Sequence, residues 1–205
     1  MKLLSKIQIL CLGLAFLEAT ASGNVGELLT FDDIPASGGL GPNPIVPNGY
    51  GGLNWNNFAV IDGLEVDPSY GYYRGVVSSP NVAFNLFGNP ASISASSGLF
   101  DLDSAYLTSA LSSVPTQHIQ VEGFRGATML YDISYTVNNS GPTLINFDYL
   151  GINSVTFTSG AQQFAIDNLT VTIPEPGACA LVAVAVVLGG LAARRGRNVL
   201  VLETV

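Results

Sequence analysis

Residues 118–158 repeatedly alternate apolar and polar side chains with a period of two, and this pattern decides the fold class. Ile119 and Val121 alternate with His118, Gln120 and Glu122, and Val155 and Phe157 alternate with Ser154, Thr156 and Thr158. The longest run sets Met129, Tyr131, Ile133, Tyr135 and Val137 against Leu130, Asp132, Ser134 and Thr136. Successive strand side chains point to opposite faces, so such segments read as strands with one buried face. Helical periodicity does not recur. Turn-forming clusters such as Asn138-Asn139-Ser140-Gly141-Pro142 and Ser159-Gly160 separate the runs at sandwich-like spacing. No internal repeat is evident, which argues against a solenoid or propeller. The pattern predicts one all-β domain, an antiparallel β-sandwich of the jelly-roll type, with a first strand over 27–32 lying close to a last strand over 164–173. A further strand is expected over 55–61.

Both ends of the chain read as targeting segments and are set aside from the fold. Residues 1–21 carry Lys2 and Lys6, an apolar run from Ile7 to Leu17, and Ala19-Thr20-Ala21 before Ser22. That order of charged start, apolar middle and small-residue cleavage site is a signal peptide, processed by signal peptidase. At the other end, Pro174-Glu175-Pro176-Gly177 precedes the uncharged run 178–193 and then Arg194-Arg195-Gly196-Arg197. As a helix the run would be about 24 Å long, near the ~30 Å of a hydrocarbon core. The arginines beyond it fit the positive-inside rule, which puts the domain outside and residues 198–205 in the cytoplasm as a tail. Pro174 and Pro176 end the last strand as a stiff hinge. About 152 residues remain as the exported domain, 22–173, enough for one core.

A Pro-Glu-Pro tripeptide, an apolar helix and an arginine cluster in this order resemble the PEP-CTERM sorting signal. The resemblance rests on Pro174, Glu175, Pro176, Arg194, Arg195 and Arg197, and extends to the lead-in over 164–171. It implies handling by an exosortase in a Gram-negative bacterium that makes exopolysaccharide. The expected route crosses the inner membrane, holds the chain briefly by its C-terminal helix, and ends at the cell surface or outside the cell. Family members usually stop soon after the arginines, whereas here Asn198 to Val205 follows.

Cysteines agree with this division. Cys11 and Cys179 both lie in the terminal segments, so the exported domain has no disulfide and depends on its core. Its charge is lopsided, with Arg74 and Arg125 against twelve carboxylates, a net −10. Nucleic acid is excluded as a partner, because phosphate neutralisation needs clustered Lys and Arg. An apolar content of 48% with only 11% charged residues excludes a disordered chain.

Two places break simple alternation. In the last strand Phe164 and Ile166 share one phase while Leu169, Val171 and Ile173 share the other, which implies a bulge at Asp167-Asn168. Carbohydrate-binding-module jelly rolls often hold a structural calcium between first and last strands. Phe31-Asp32-Asp33 with Ile166-Asp167-Asn168 is similar in placement, and the resemblance implies Asp32, Asp33 and Asp167 as calcium ligands. The second place is the segment 37–57, rich in Gly, Pro and Asn and long for a loop within a compact domain. It holds Tyr50 and the single tryptophan, Trp55, beside Asn54, Asn56 and Asn57. An aromatic face next to amides suits a sugar ring, which offers C–H groups for stacking and hydroxyls for hydrogen bonds. Tyr70, Tyr72 and Tyr73 form a second aromatic group beside Arg74. The candidate ligand-binding residues are therefore Tyr50, Trp55, Tyr72 and Tyr73, against the alternative that Trp55 plugs the core.

Catalytic parts are not evident. His118 is the only histidine, the exported domain has no cysteine, and no Gly-x-Ser-x-Gly, His-Glu-x-x-His or phosphate-loop pattern occurs. Asp101 and Asp103 share a strand face and are the nearest approach to a glycosidase pair. The expectation is a non-enzymatic surface or matrix protein whose sandwich associates with exopolysaccharide. The alternatives are a purely structural matrix or adhesion protein and, last, a polysaccharide hydrolase.

Overall fold

The computed structural model describes residues 24–39 and 42–174. The signal peptide, the Glu175-Pro176 part of the sorting signal, the apolar run and the arginine cluster all lie outside the described residues. Val25–Ile173 form one compact unit. Among the described residues no helix is long and apolar enough to cross a membrane.

Eleven strands make up most of it: β1 (Asn24–Leu29), β2 (Leu53–Asn56), β3 (Phe58–Asp62), β4 (Asn81–Asn85), β5 (Ala91–Ala95), β6 (Phe100–Ser109), β7 (Thr116–Arg125), β8 (Thr128–Asn138), β9 (Thr143–Ile152), β10 (Ser154–Thr158) and β11 (Phe164–Pro174). One helical turn, α1 (Gly71–Arg74), interrupts the link between β3 and β4. The strands form a six-stranded sheet in the order β3-β4-β11-β6-β9, with β1 also pairing β11, and a five-stranded sheet in the order β2-β5-β10-β7-β8. The paired strands with a defined register run antiparallel.

Apolar phases of both sheets meet in one core. Phe58, Phe100, Leu102, Leu107, Tyr149, Phe164 and Ile166 from the larger sheet join Leu53, Ile93, Ile119, Val121, Val155 and Phe157 from the smaller. The alternation in β7, β9 and β10 is the signature of a sheet with one wet face. The edge strand β8 follows it less fully. Ile133 shares the inward phase of Tyr131 and Tyr135, yet it is 43% exposed, because nothing pairs beyond β8 to close the sandwich there. A register shift between Gly123 and Phe124 sets Met129 opposite Phe124, off the phase that sequence alternation gives it.

The expected single strand over 55–61 is two strands in different sheets. Asn57 takes a left-handed conformation (φ 61°), turning the chain from β2 in the smaller sheet to β3 in the larger. Asparagine tolerates that region better than most residues with a Cβ. In β11 the register against β6 shifts between Asp167 and Thr170, with Asn168 at φ 49°. The extra residue turns Leu169 and Val171 into the same core as Ile166.

The larger sheet also carries a second apolar cluster on its outer face. Ala59 and Ile61 of β3, Val82 and Phe84 of β4 and Ala165 of β11 pack beneath Tyr72 and Ala110. Strands β3 and β4 are therefore covered on both sides, and all ten of their residues except Asp62 are buried. Asp167 ties down this covering segment. Its Oδ2 accepts from the amides of Val77 (2.7 Å) and Ser78 (2.9 Å), and its Oδ1 accepts from the Ser78 hydroxyl and the Asn168 amide.

Candidate functional site

The four aromatic residues singled out in the sequence do not form one site. Trp55 is 7% exposed and sits edge-on to Phe31 and Phe58, with centroids 5.6 and 5.4 Å away. Its Nε1 donates to the Tyr50 carbonyl (2.9 Å), so the indole has its polar partner and closes one end of the core. Tyr50 stacks on Phe31 at 5.6 Å, accepts from the Phe31 amide and donates to Asp33 Oδ1 (2.9 Å). Burial and the Asp33 carboxylate push the Tyr50 phenol well above its usual range. Trp55 therefore offers no open face to a sugar, and Tyr50 is tied into the wall beside it. Tyr72 and Tyr73 lie on α1: Tyr72 is 8% exposed and belongs to the outer cluster, whereas Tyr73 is 37% exposed.

Asp32, Asp33 and Asp167 do not fit a calcium ion. Calcium takes six to eight oxygens, several of them from carboxylates free to turn toward it. Here Asp33 holds Tyr50, Asp32 Oδ1 accepts from the Asn81 amide (2.9 Å), and both Asp167 oxygens are occupied by the Val77-Ser78 segment and Asn168. Among the described residues no three His, Cys, Asp or Glu side chains converge on a point that would hold a metal. These carboxylates fasten loops to the sheet instead.

Among the described residues, two adjoining hollows open on the outer face of the larger sheet. One hollow of about 340 Å³ has Ile61, Tyr72 and Phe84 in its lining, with Leu86, Phe87, Gln163 and Asn43 around them. A second, of about 220 Å³, shares Ile61 and Tyr72 and is bordered by Tyr70, Val66, Glu65 and Asp67. Together they form an apolar groove with amides toward one end and carboxylates toward the other. Tyr70 stacks on Tyr72 (6.3 Å, 25°), and Tyr72 meets Phe84 edge to face (5.3 Å, 75°). The Tyr72 hydroxyl donates to Gln163 Oε1 (2.8 Å), and burial raises that phenol's pKa well above the ordinary value.

Phe87, which strand periodicity does not single out, is the most exposed large apolar side chain here, at 82%. It stands in the turn between β4 and β5 with φ 57°, a conformation uncommon for a residue with a Cβ. Two asparagines hold that turn. Buried Asn85 reaches the carbonyls of Asn89 (3.0 Å) and Gln162 (3.1 Å) through Nδ2 and accepts from the Phe164 amide (2.8 Å) through Oδ1. Asn57 Nδ2 reaches the carbonyls of Leu86, Asn89 and Pro90. Gly88 follows at φ 71°, so close to the Ala161 backbone that a Cβ would lie 2.6 Å from it. The one sequence signal for Phe87 is its place as an apolar residue in the turn cluster Phe87-Gly88-Asn89-Pro90, where solvent-facing positions are normally polar.

Asp101 and Asp103 stand on the outer face of β6 and are engaged across strands. Asp101 Oδ1 accepts from the Gly151 amide, and Asp103 Oδ2 accepts from the Thr172 hydroxyl (2.8 Å). Burial, with the charges of Asp101 and Asp148 nearby, raises the Asp103 carboxyl above its ordinary range. Neither residue lines the groove.

No protein-family model matches this chain, and comparison with curated proteins finds no match. Solved structures similar to it include an arabinose-bound MgGH51 α-L-arabinofuranosidase (16% identity, TM-score 0.44, covering 74% of this chain and 27% of that one). Another is the CBM22-1 xylan-binding domain of Paenibacillus barcinonensis Xyn10C (9% identity, TM-score 0.44, 78% of this chain and 99% of that one). A third is TmCBM61 in complex with β-1,4-galactotriose (12% identity, TM-score 0.31, 64% and 98%). The chain spans only about a quarter of the arabinofuranosidase and under half of the tandem CBM22 domains of Xyn10C, a further similar structure. Likenesses this distant leave the function to be argued from this chain's own residues.

Proposed function

We propose that this chain is an exported protein, sorted at the membrane through its C-terminal Pro-Glu-Pro segment, whose sandwich associates with glycan at the cell surface or in the extracellular matrix. The domain is read as a jelly roll. Strands β4 to β11 support this, since in sequence order they visit the larger, smaller, larger, smaller, smaller, larger, smaller and larger sheets. The action is binding rather than turnover, through an open surface and not through paired carboxylates.

A single observation carries the glycan reading: a solvent-exposed phenyl ring beside an aromatic-floored groove with amides and carboxylates on its margins. An exposed aromatic ring continuous with an apolar groove is the kind of surface that marks a ligand site, where a lone exposed ring would not. A second reading, a structural matrix protein with no small ligand, is favoured by the outer face of the smaller sheet. There Asn56, Ser92, Thr156, Glu122 and Asp132 lie in register across all five strands as a flat polar row.

Sorting is tested by intact mass of the protein recovered separately from the membrane and medium of its host. The expected medium form begins near Ser22 and ends near Pro174-Glu175-Pro176. Recovery solely in the membrane with Val205 still attached would make the C-terminus a plain anchor. Immobilised-glycan binding by the same material tests the other half, and retention on none of a broad panel would favour the structural reading.

A further inference from the structure

Resting on the glycan reading, we propose that the groove floored by Ile61, Tyr72 and Phe84 takes an uncharged polysaccharide chain and that Phe87 is its stacking anchor. The groove lining offers apolar surface, the Gln163 and Asn43 amides, and the Glu65 and Asp67 carboxylates, but no cation. Glu65 gives one oxygen to the Gly38 amide (2.8 Å), leaving the other to accept from a sugar hydroxyl. Carboxylates and amides are the groups that read hydroxyls, and the bond to a carboxylate is charge-assisted.

Charge excludes the anionic class. Only Arg74 and Arg125 are basic between residues 22 and 173, and neither lines the groove. Arg74 is turned to the carbonyls of Pro68 and Asn139, and Arg125 to that of Gly151. A uronate or sulfate brought to the groove would meet the Glu65 and Asp67 carboxylates. The one guanidinium nearby, Arg74, lies outside the lining with its charge already set against Asp67 and its N–H groups on carbonyls, so the anion would lose hydration without a partner of its own. Of the classes that remain, a chain of neutral hexoses or pentoses matches a floor that is apolar and aromatic with hydroxyl-reading amides at one end, and a cationic chain is the alternative that salt dependence separates from it.

The Phe87 turn separates a binding anchor from an accident of the surface. A ring that merely lacked cover would gain nothing from a left-handed backbone, two asparagines bonded to the surrounding carbonyls, and a glycine pressed against Ala161. That arrangement fixes the main chain from which the ring projects, so the turn itself needs little ordering when a ligand arrives. The Asn85 and Asn57 amides are thus positioning groups that act through the turn.

The experiment measures affinity of the full-length chain in mild detergent for soluble xylan and β-1,4-galactan as uncharged probes, polygalacturonate as the anionic probe and chitosan oligosaccharides as the cationic one. Phe87→Ala is read alongside the parent protein, with Ile133→Ala, at the exposed β8 edge, as the control. The expected result is retention of an uncharged probe, little change between about 0.05 and 0.5 M salt, and weakening by about tenfold in Phe87→Ala with the control unchanged. Phe87 is 82% exposed, so its truncation leaves folding intact, checked by an unaltered urea midpoint. Preference for polygalacturonate, or salt-sensitive preference for chitosan, overturns the assignment of ligand class. Binding of an uncharged probe that Phe87→Ala leaves unchanged overturns the site while the glycan reading stands. Retention of no probe by the parent protein overturns both.

Discussion

Asp167 makes protein stability depend on pH in a direction opposite to ordinary acid denaturation. Its side chain is 0% exposed, and burial pushes its carboxyl from 3.8 up to about 6, against the hydrogen bonds from Val77, Ser78 and Asn168 that favour the anion. A carboxyl whose folded pKa is raised binds its proton more tightly in the native state than in the unfolded chain. Its stabilising contribution is therefore fully present below pH 3.8 and is lost as pH rises through about 6. A tenfold difference in proton affinity between the folded and unfolded chain corresponds to about 1.4 kcal/mol, so between pH 7.5 and 4.5 acidification should add about 2 kcal/mol from this one group. The measured quantity is a difference against Asp167→Asn, so that contributions from the rest of the chain cancel. Urea unfolding is followed by the fluorescence of Trp55, the only tryptophan and itself buried. The pH 4.5 minus pH 7.5 change in unfolding free energy should be about 2 kcal/mol more favourable in the parent than in the variant. Equal changes would show that Asp167 does not titrate between these pH values. A parent that loses more stability in acid would show that the four donors outweigh burial and hold the anion.

Other substitutions separate the groups that hold the fold from those that serve the groove. Gln117 on β7 is 4% exposed with neither amide atom paired, so Gln117→Leu should raise stability by about 1–2 kcal/mol in urea melts. A loss there would mean that the amide has partners after all. Trp55→Ala should cost about 3–5 kcal/mol by circular dichroism melts while leaving glycan affinity unchanged under conditions where it remains folded. Weaker binding by that folded variant would restore Trp55 to the site. Gly88→Ala places a Cβ 2.6 Å from the Ala161 backbone at φ 71°. It should cost about 2 kcal/mol or more and weaken glycan retention together, and a neutral effect on both would remove the turn from the site.

The parts of the fold legible in sequence are those where one face of a strand is wet. Strands β7, β9 and β10 alternate because their outer residues meet solvent, and the break of phase at Asp167-Asn168 marks the bulge in the sequence itself. Strands β3 and β4 are buried on both sides, so Phe-Ala-Val-Ile and Val-Ala-Phe present apolar residues on both phases and carry no period. Their second cover comes from residues 63–80, and only tertiary packing brings that segment onto the sheet. The division of β2 from β3 rests on one left-handed asparagine among several, a conformation that residue identity permits and does not specify.

The aromatic residues show the same limit from the side of function. Tryptophan beside asparagines looks like a platform in sequence, yet Asn48 accepts from the Trp55 amide and the Asn57 amide group reaches toward the Phe87 turn instead. The amides near Trp55 thus support backbone, and one of them supports the backbone of a different aromatic 30 residues along the chain. A side chain becomes a binding group through what fixes its main chain and what leaves its face open, and both are properties of contacts distant in sequence. Phe87 has both, Trp55 has the first alone, and Tyr73 has only exposure on a single helical turn. The groove is therefore assigned to the β4–β5 turn and the covering segment that Asp167 holds down, and not to the long glycine-rich loop that stands out by composition.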